Sequence, residues 1–99
     1  AKNGLWGVIN TEGNVIIPFE YSKVELGVDG YIYVEKDSKC GIFSSSGNEI
    51  FPVKCDSIEI SGDKKIFRYG VAAGRLDGQR IGIDTNGNVV FQYAMLAEK

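Results

Sequence analysis

The chain has 99 residues, 11 basic and 13 acidic side chains, a net charge of -2 and 43% hydrophobic residues. That is enough for one domain with its own core, without a metal or disulfide, and apolar runs such as Val15-Ile16-Ile17 fall far short of the ~20 residues of a membrane-spanning helix. The basic residues are scattered, with only Lys64 and Lys65 adjacent, so neither nucleic acid nor membrane insertion is expected.

The elements follow in chain order. Asn3-Gly4 reads as a turn feeding a strand at Leu5-Trp6-Gly7-Val8-Ile9. A polar loop ending in Gly13 then leads to Val15-Ile16-Ile17, which Pro18 closes because proline has no N–H for a ladder. Tyr31-Ile32-Tyr33-Val34-Glu35 alternates as a strand does, with Tyr31 and Tyr33 on one face and Ile32 and Val34 on the other. One of those faces is expected to be exposed. A turn at 36–39 makes a hairpin with Cys40-Gly41-Ile42-Phe43, and a second turn at 44–47 leads to Glu49-Ile50-Phe51 and Pro52. Ile66-Phe67-Arg68-Tyr69 places an arginine between aromatics. The tail from Gln92 to Lys99 reads as a short helix or an irregular cap.

These elements repeat. Gly7 to Gly41, Gly13 to Gly47 and Pro18 to Pro52 are each 34 residues apart, a spacing that marks a repeat architecture. A third copy begins at Ile81-Gly82-Ile83, keeps Gly87 and has Gln92 where proline stood. It is one residue shorter between its glycines, and about seven extra residues precede it, within Ile60 to Gly74. The reading is an all-β fold of tandem three-stranded antiparallel meanders, a β-hairpin repeat array. It forms one domain over 1–99, with units at about 1–35, 36–74 and 75–99, the last partial. Gly13, Gly47 and Gly87 fall where short hairpin loops need positive φ. The repeat begins and ends out of phase, so neighbouring repeats, a covering tail or self-association through strand edges is expected.

Trp6-Gly7-Val8-Ile9, the loop glycine Gly13, Val15-Ile16-Ile17-Pro18 and Glu20-Tyr21 together resemble the bacterial WG repeat, also called the KWG repeat. The second copy departs from that pattern, with Cys40 for the tryptophan and Cys55 for the tyrosine. In the third, Ile81 and Met95 are the nearest counterparts. The resemblance implies noncatalytic all-β modules arranged in tandem in bacterial surface, exported or multidomain proteins. It carries over structural positions only: Trp6, Gly7, Gly13, Pro18, Tyr21, Cys40, Gly41, Gly47, Pro52, Cys55, Gly82 and Gly87.

The chemistry on offer is thin. Without a single histidine, Ser-His-Asp triads, Cys-His dyads and the usual zinc sites are missing or incomplete. No GxxxxGK[ST] phosphate loop occurs. Asp84, Asn86 and Asn88 alternate as calcium ligands do, but Gly87 falls at the fourth position of such a loop and Met95 at the twelfth, so turn-forming side chains explain them better. Glu20, Glu25, Glu35, Glu49, Asp56 and Glu59 offer carboxylates, but no large loops to build a cleft around them. Cys40 and Cys55 read either as buried small hydrophobes or as a disulfide. No metal, cofactor or catalytic residue is expected. Tyr31, Tyr33, Arg68 and Tyr69 form the candidate ligand patch, and the expected function is protein interaction or scaffolding, with carbohydrate or cell-wall binding through surface aromatics as the alternative.

Overall fold

A computed structural model describes residues 4–60 and 62–94. Its elements are all strands: β1 (Trp6–Ile9), β2 (Val15–Tyr21), β3 (Lys23–Leu26), β4 (Tyr31–Lys36), β5 (Lys39–Ser44), β6 (Glu49–Cys55), β7 (Ser57–Ile58), β8 (Val71–Leu76), β9 (Gln79–Asp84) and β10 (Val89–Ala94). They form three antiparallel sheets: β1-β2, then β3-β4-β5-β6, then β7-β8-β9-β10. Each of the two larger meanders thus has a fourth strand, β3 or β7, placed before the three that alternation makes evident.

The chain passes between sheets through a single residue. Ser22 separates β2 from β3 and Asp56 separates β6 from β7. The Ser22 amide donates to the Glu35 carbonyl (2.8 Å) and the Asp56 amide to the Arg75 carbonyl (2.7 Å), so both crossings are satisfied in the same way. Lys39 adds an ion pair to Asp56 at 2.6 Å.

Two kinds of turn build the hairpins. Asp37-Ser38 and Asp77-Gly78 are two-residue loops with both φ angles positive (53° and 66°; 52° and 81°), the geometry whose twist matches that of the flanking strands. The loops holding Gly13, Gly47 and Gly87 (φ 88°, 94° and 87°) are closed by their first residue. Asn10 Oδ1 accepts from the amides of Glu12 and Asn14, and Asp84 Oδ1 from those of Asn86 and Asn88. The Asp84 carboxylate therefore serves its own turn, and these bonds hold it below the usual carboxylate range.

Aligning turn on turn corrects the sequence match in the third sheet. Asp37-Ser38 corresponds to Asp77-Gly78 and Ser44 to Asp84, so β5 and β9 are equally long. Ile81 then falls on the position of Gly41, Arg80 on that of Cys40 and Gly82 on that of Ile42. The glycine has moved by one residue, which in a strand is a change of face. Gly41 lies where β6 folds over β5, since a Cβ there would stand 2.8 Å from Val53 Cγ2 and 2.9 Å from the Phe51 carbonyl. Gly82 instead receives the ring of Phe91, which a Cβ would strike. The tail, expected from Gln92 onward as a short helix or an irregular cap, is strand as far as Ala94; the rest of it lies outside the described residues.

The extra residues before the third hairpin form the connection from β7 to β8, and Asp29 ties it down. Its Oδ2 accepts from the amides of Ile66 (3.1 Å) and Phe67 (2.9 Å). Asp29→Ala leaves both donors unpaired and is expected to cost about 1–3 kcal/mol. Limited proteolysis should cut the variant between residues 60 and 70 faster than the parent; equal rates would show that the loop is held without Asp29, by its apolar contacts and the bond from the Val28 amide to the Lys64 carbonyl (3.0 Å).

Candidate functional site

The three sheets enclose two apolar layers. Between the first and second sheets lie Ile17, Tyr21, Ile32, Val34 and Phe43, flanked by Val8, Ile16, Val24 and Val53. Between the second and third lie Tyr33, Cys40, Ile42, Phe51, Cys55 and Ile58 with Ile66, Phe67, Ala72, Ile81 and Ile83. The second sheet is therefore covered on both faces. Ile32 and Val34 point to one layer and Tyr33 to the other, so no face of β4 is left exposed.

This placement separates the candidate patch. Tyr33 is only 6% exposed, and the structure moves it from a ligand surface to the core, because both faces of its strand are covered. Its hydroxyl donates to Glu35 Oε2 at 2.6 Å and lies 3.1 Å from Cys40 Sγ. Tyr31 packs edge-on against Phe67, with centroids 4.5 Å apart. Arg68 and Tyr69 lie on the surface, where Tyr69-Gly70 forms a tight turn closed by reciprocal bonds between Arg68 and Val71. Tyr69 is fully exposed at its tip.

Cys40 and Cys55 face one another across β5 and β6 as free thiols. Burial raises the pKa of Cys40 and pushes that of Cys55 up to about 11, which keeps both protonated and poorly nucleophilic at neutral pH. Burial likewise raises the Tyr33 phenol. The unfolded chain releases the Cys55 proton near its ordinary value of 9.0, whereas the folded chain holds it until about 11. Stability is therefore full below pH 9 and is expected to fall between pH 9 and 11. Urea midpoints measured across that range, with reductant present, check the sign; a flat profile would contradict it.

The site that sequence reading missed is the edge of the first layer. In the second layer Tyr33 packs beside Cys40, Ile42, Ile58 and Ile60, and the opening that remains, about 380 Å³, lies between Tyr33, Ile58 and Ile60 and the charged side chains of Lys23, Glu25 and Lys64. The corresponding space in the first layer is a groove of about 250 Å³ lined by Trp6, Gly7, Val8, Ile9, Val24 and Leu26. Among the described residues β1 pairs with β2 alone, so no described strand lies along its other edge. Trp6 is 48% and Leu26 60% exposed. The 34-residue offset held the signal: the counterparts of Trp6 and Val8 are enclosed, while beside these two no described strand stands where β4 stands beside β5.

Stacked meanders joined by one-residue crossings, with recurring glycine loops and bulges, define an all-β repeat module. Residues 6–40 match the family model of the WG containing repeat, and the chain carries that repeat. The matched segment runs from Trp6 to its counterpart Cys40 and covers about a third of the chain. No curated protein and no solved structure matches the chain.

Proposed function

We propose that the chain is a noncatalytic interaction module that takes an extended protein segment along β1. The observation that carries this reading is the open groove beside Trp6, whose internal counterpart is filled by a strand of this same chain. An added strand would pair along the other edge of β1 through main-chain bonds and set alternate side chains into the groove. The occupant is thus a strand with an aromatic residue at every second position, as β4 has Tyr31 and Tyr33.

A synthetic peptide with the sequence of β4, Tyr31–Lys36, is the probe, and Trp6, the single tryptophan of the chain, is the reporter. Saturable blue-shifted emission that is lost in a Leu26→Lys variant supports the reading. Emission unchanged at saturating peptide contradicts it. The carbohydrate alternative has less support, because Tyr33 is in the core and Tyr31 is engaged by Phe67. Glycan binding lost in Tyr69→Ala but kept in Leu26→Lys would favour it.

A further inference from the structure

The contact that joins successive sheets occurs twice inside the molecule, and its two halves recur separately at opposite ends. In β2 the register passes from Ile17 opposite Val8 to Val15 opposite Ile9, skipping Ile16. In β6 it passes from Phe51 opposite Ile42 to Glu49 opposite Phe43, skipping Ile50. Each skipped residue is a bulge whose carbonyl leaves the ladder. The loop glycine of the next hairpin seats on it. A Cβ on Gly47 would stand 2.7 Å from the Ile16 carbonyl oxygen, and one on Gly87 would strike that of Ile50. Only a glycine Cα–H fits there, as a weak donor to the freed carbonyl.

The third bulge lies at Val90, which the register skips between Val89 opposite Ile83 and Phe91 opposite Gly82. Val90 is 50% exposed, and Phe91 laid over Gly82 keeps apolar surface where Ile42 stands in the second sheet. At the other end Gly13 has the same left-handed φ as Gly47 and Gly87, yet a Cβ on it would meet no described atom within 4 Å. Beside it Ile9, the counterpart of buried Phe43, is 53% exposed.

We infer that two copies of this chain dock head to tail, with Gly13 of one seated on the Val90 bulge of the other. This rests on reading the chain as an interaction module, and it names a second copy as one partner, at a surface separate from the Trp6 groove. The contact is heterologous, so each docking leaves one end of either kind open and a row can extend.

Sedimentation of the whole chain across concentration tests this. Ile9→Lys blocks the loop-bearing end and Val90→Lys the bulge-bearing end; both positions are half exposed, so both variants fold. The parent is expected to grow with concentration past the dimer, and each variant alone to stay at monomer mass. Their equimolar mixture should reach twice that mass and stop, since it holds one intact end of each kind. As a check free of substitutions, amide resonances of residues 10–13 and 89–91 should shift together on dilution of the parent. A parent that is monomeric to its solubility limit, variants that associate like the parent, or a mixture that stays monomeric would overturn the inference. A Trp6 response to the β4 peptide that survives any of these results would leave the proposed function standing.

Discussion

Gly41→Val is expected to cost about 3 kcal/mol or more, at the top of the range for overpacking a closed site. The β6 strand folds over Gly41 so closely that a Cβ would stand 2.8 Å from Val53 Cγ2, 2.9 Å from the Phe51 carbonyl oxygen and 3.0 Å from Val53 Cα. Two of these atoms are backbone and the third belongs to a stiff β-branched side chain, so relief requires β6 to lift from β5. That would part Cys40 from Cys55 and open both apolar layers. Gly62 has nothing within 4 Å, and Gly62→Ala is expected to change stability by no more than about 0.5 kcal/mol. Urea unfolding of the two variants gives the comparison; a Gly41→Val midpoint near that of Gly62→Ala would mean that the close crossing of β6 over β5 is wrong.

The second large effect is expected at Phe51. It is 3% exposed and sits opposite Ile42 in the layer between the second and third sheets. Truncation to alanine removes a full aromatic side chain from a site walled by two sheets, at an expected cost of about 3–5 kcal/mol. Its counterpart Phe91 faces away from the second sheet and is 47% exposed, so Phe91→Ala should cost less than half as much. Thermal unfolding of both variants checks the order. Equal losses would show that the face of the third sheet beyond Phe91 is as enclosed as the layer around Phe51.

Much of this fold is legible in the sequence, because turn chemistry is local. Asn10, Ser44 and Asp84 start loops whose glycines need positive φ, and the 34-residue offset alone places β1 on β5 and β2 on β6. The fourth strand of each larger sheet is not legible. Lys23–Leu26 has four residues and Ser57–Ile58 only two, and each follows its predecessor after a single residue with no Gly or Pro to mark a corner. The third hairpin misleads for a different reason. Gly82 resembles Gly41 in sequence, but one glycine clears a crossing strand and the other an aromatic ring, and sequence spacing does not distinguish those needs. The same limit applies to the candidate site. Alternation correctly pairs Tyr31 with Tyr33, yet whether their face is open depends on a third sheet that begins more than twenty residues downstream, at Ser57. The groove at Trp6 becomes visible only when it is compared with its filled counterpart.

At the centre of this architecture, a loop glycine of each later sheet seats on the bulge carbonyl of the sheet before it. Gly13 and Gly47 have nearly the same φ, 88° and 94°, in the same loop, but only Gly47 lies against a carbonyl, that of Ile16. Alanine at either position bears the left-handed backbone penalty of about 1–2 kcal/mol; alanine at Gly47 must also push the first two sheets apart. The urea unfolding free energies of Gly13→Ala and Gly47→Ala, measured side by side, test this most directly. Gly47→Ala is expected to lose at least about 1.5 kcal/mol more than Gly13→Ala, on the scale of overpacking. Equal losses would contradict the seating of glycine on bulge.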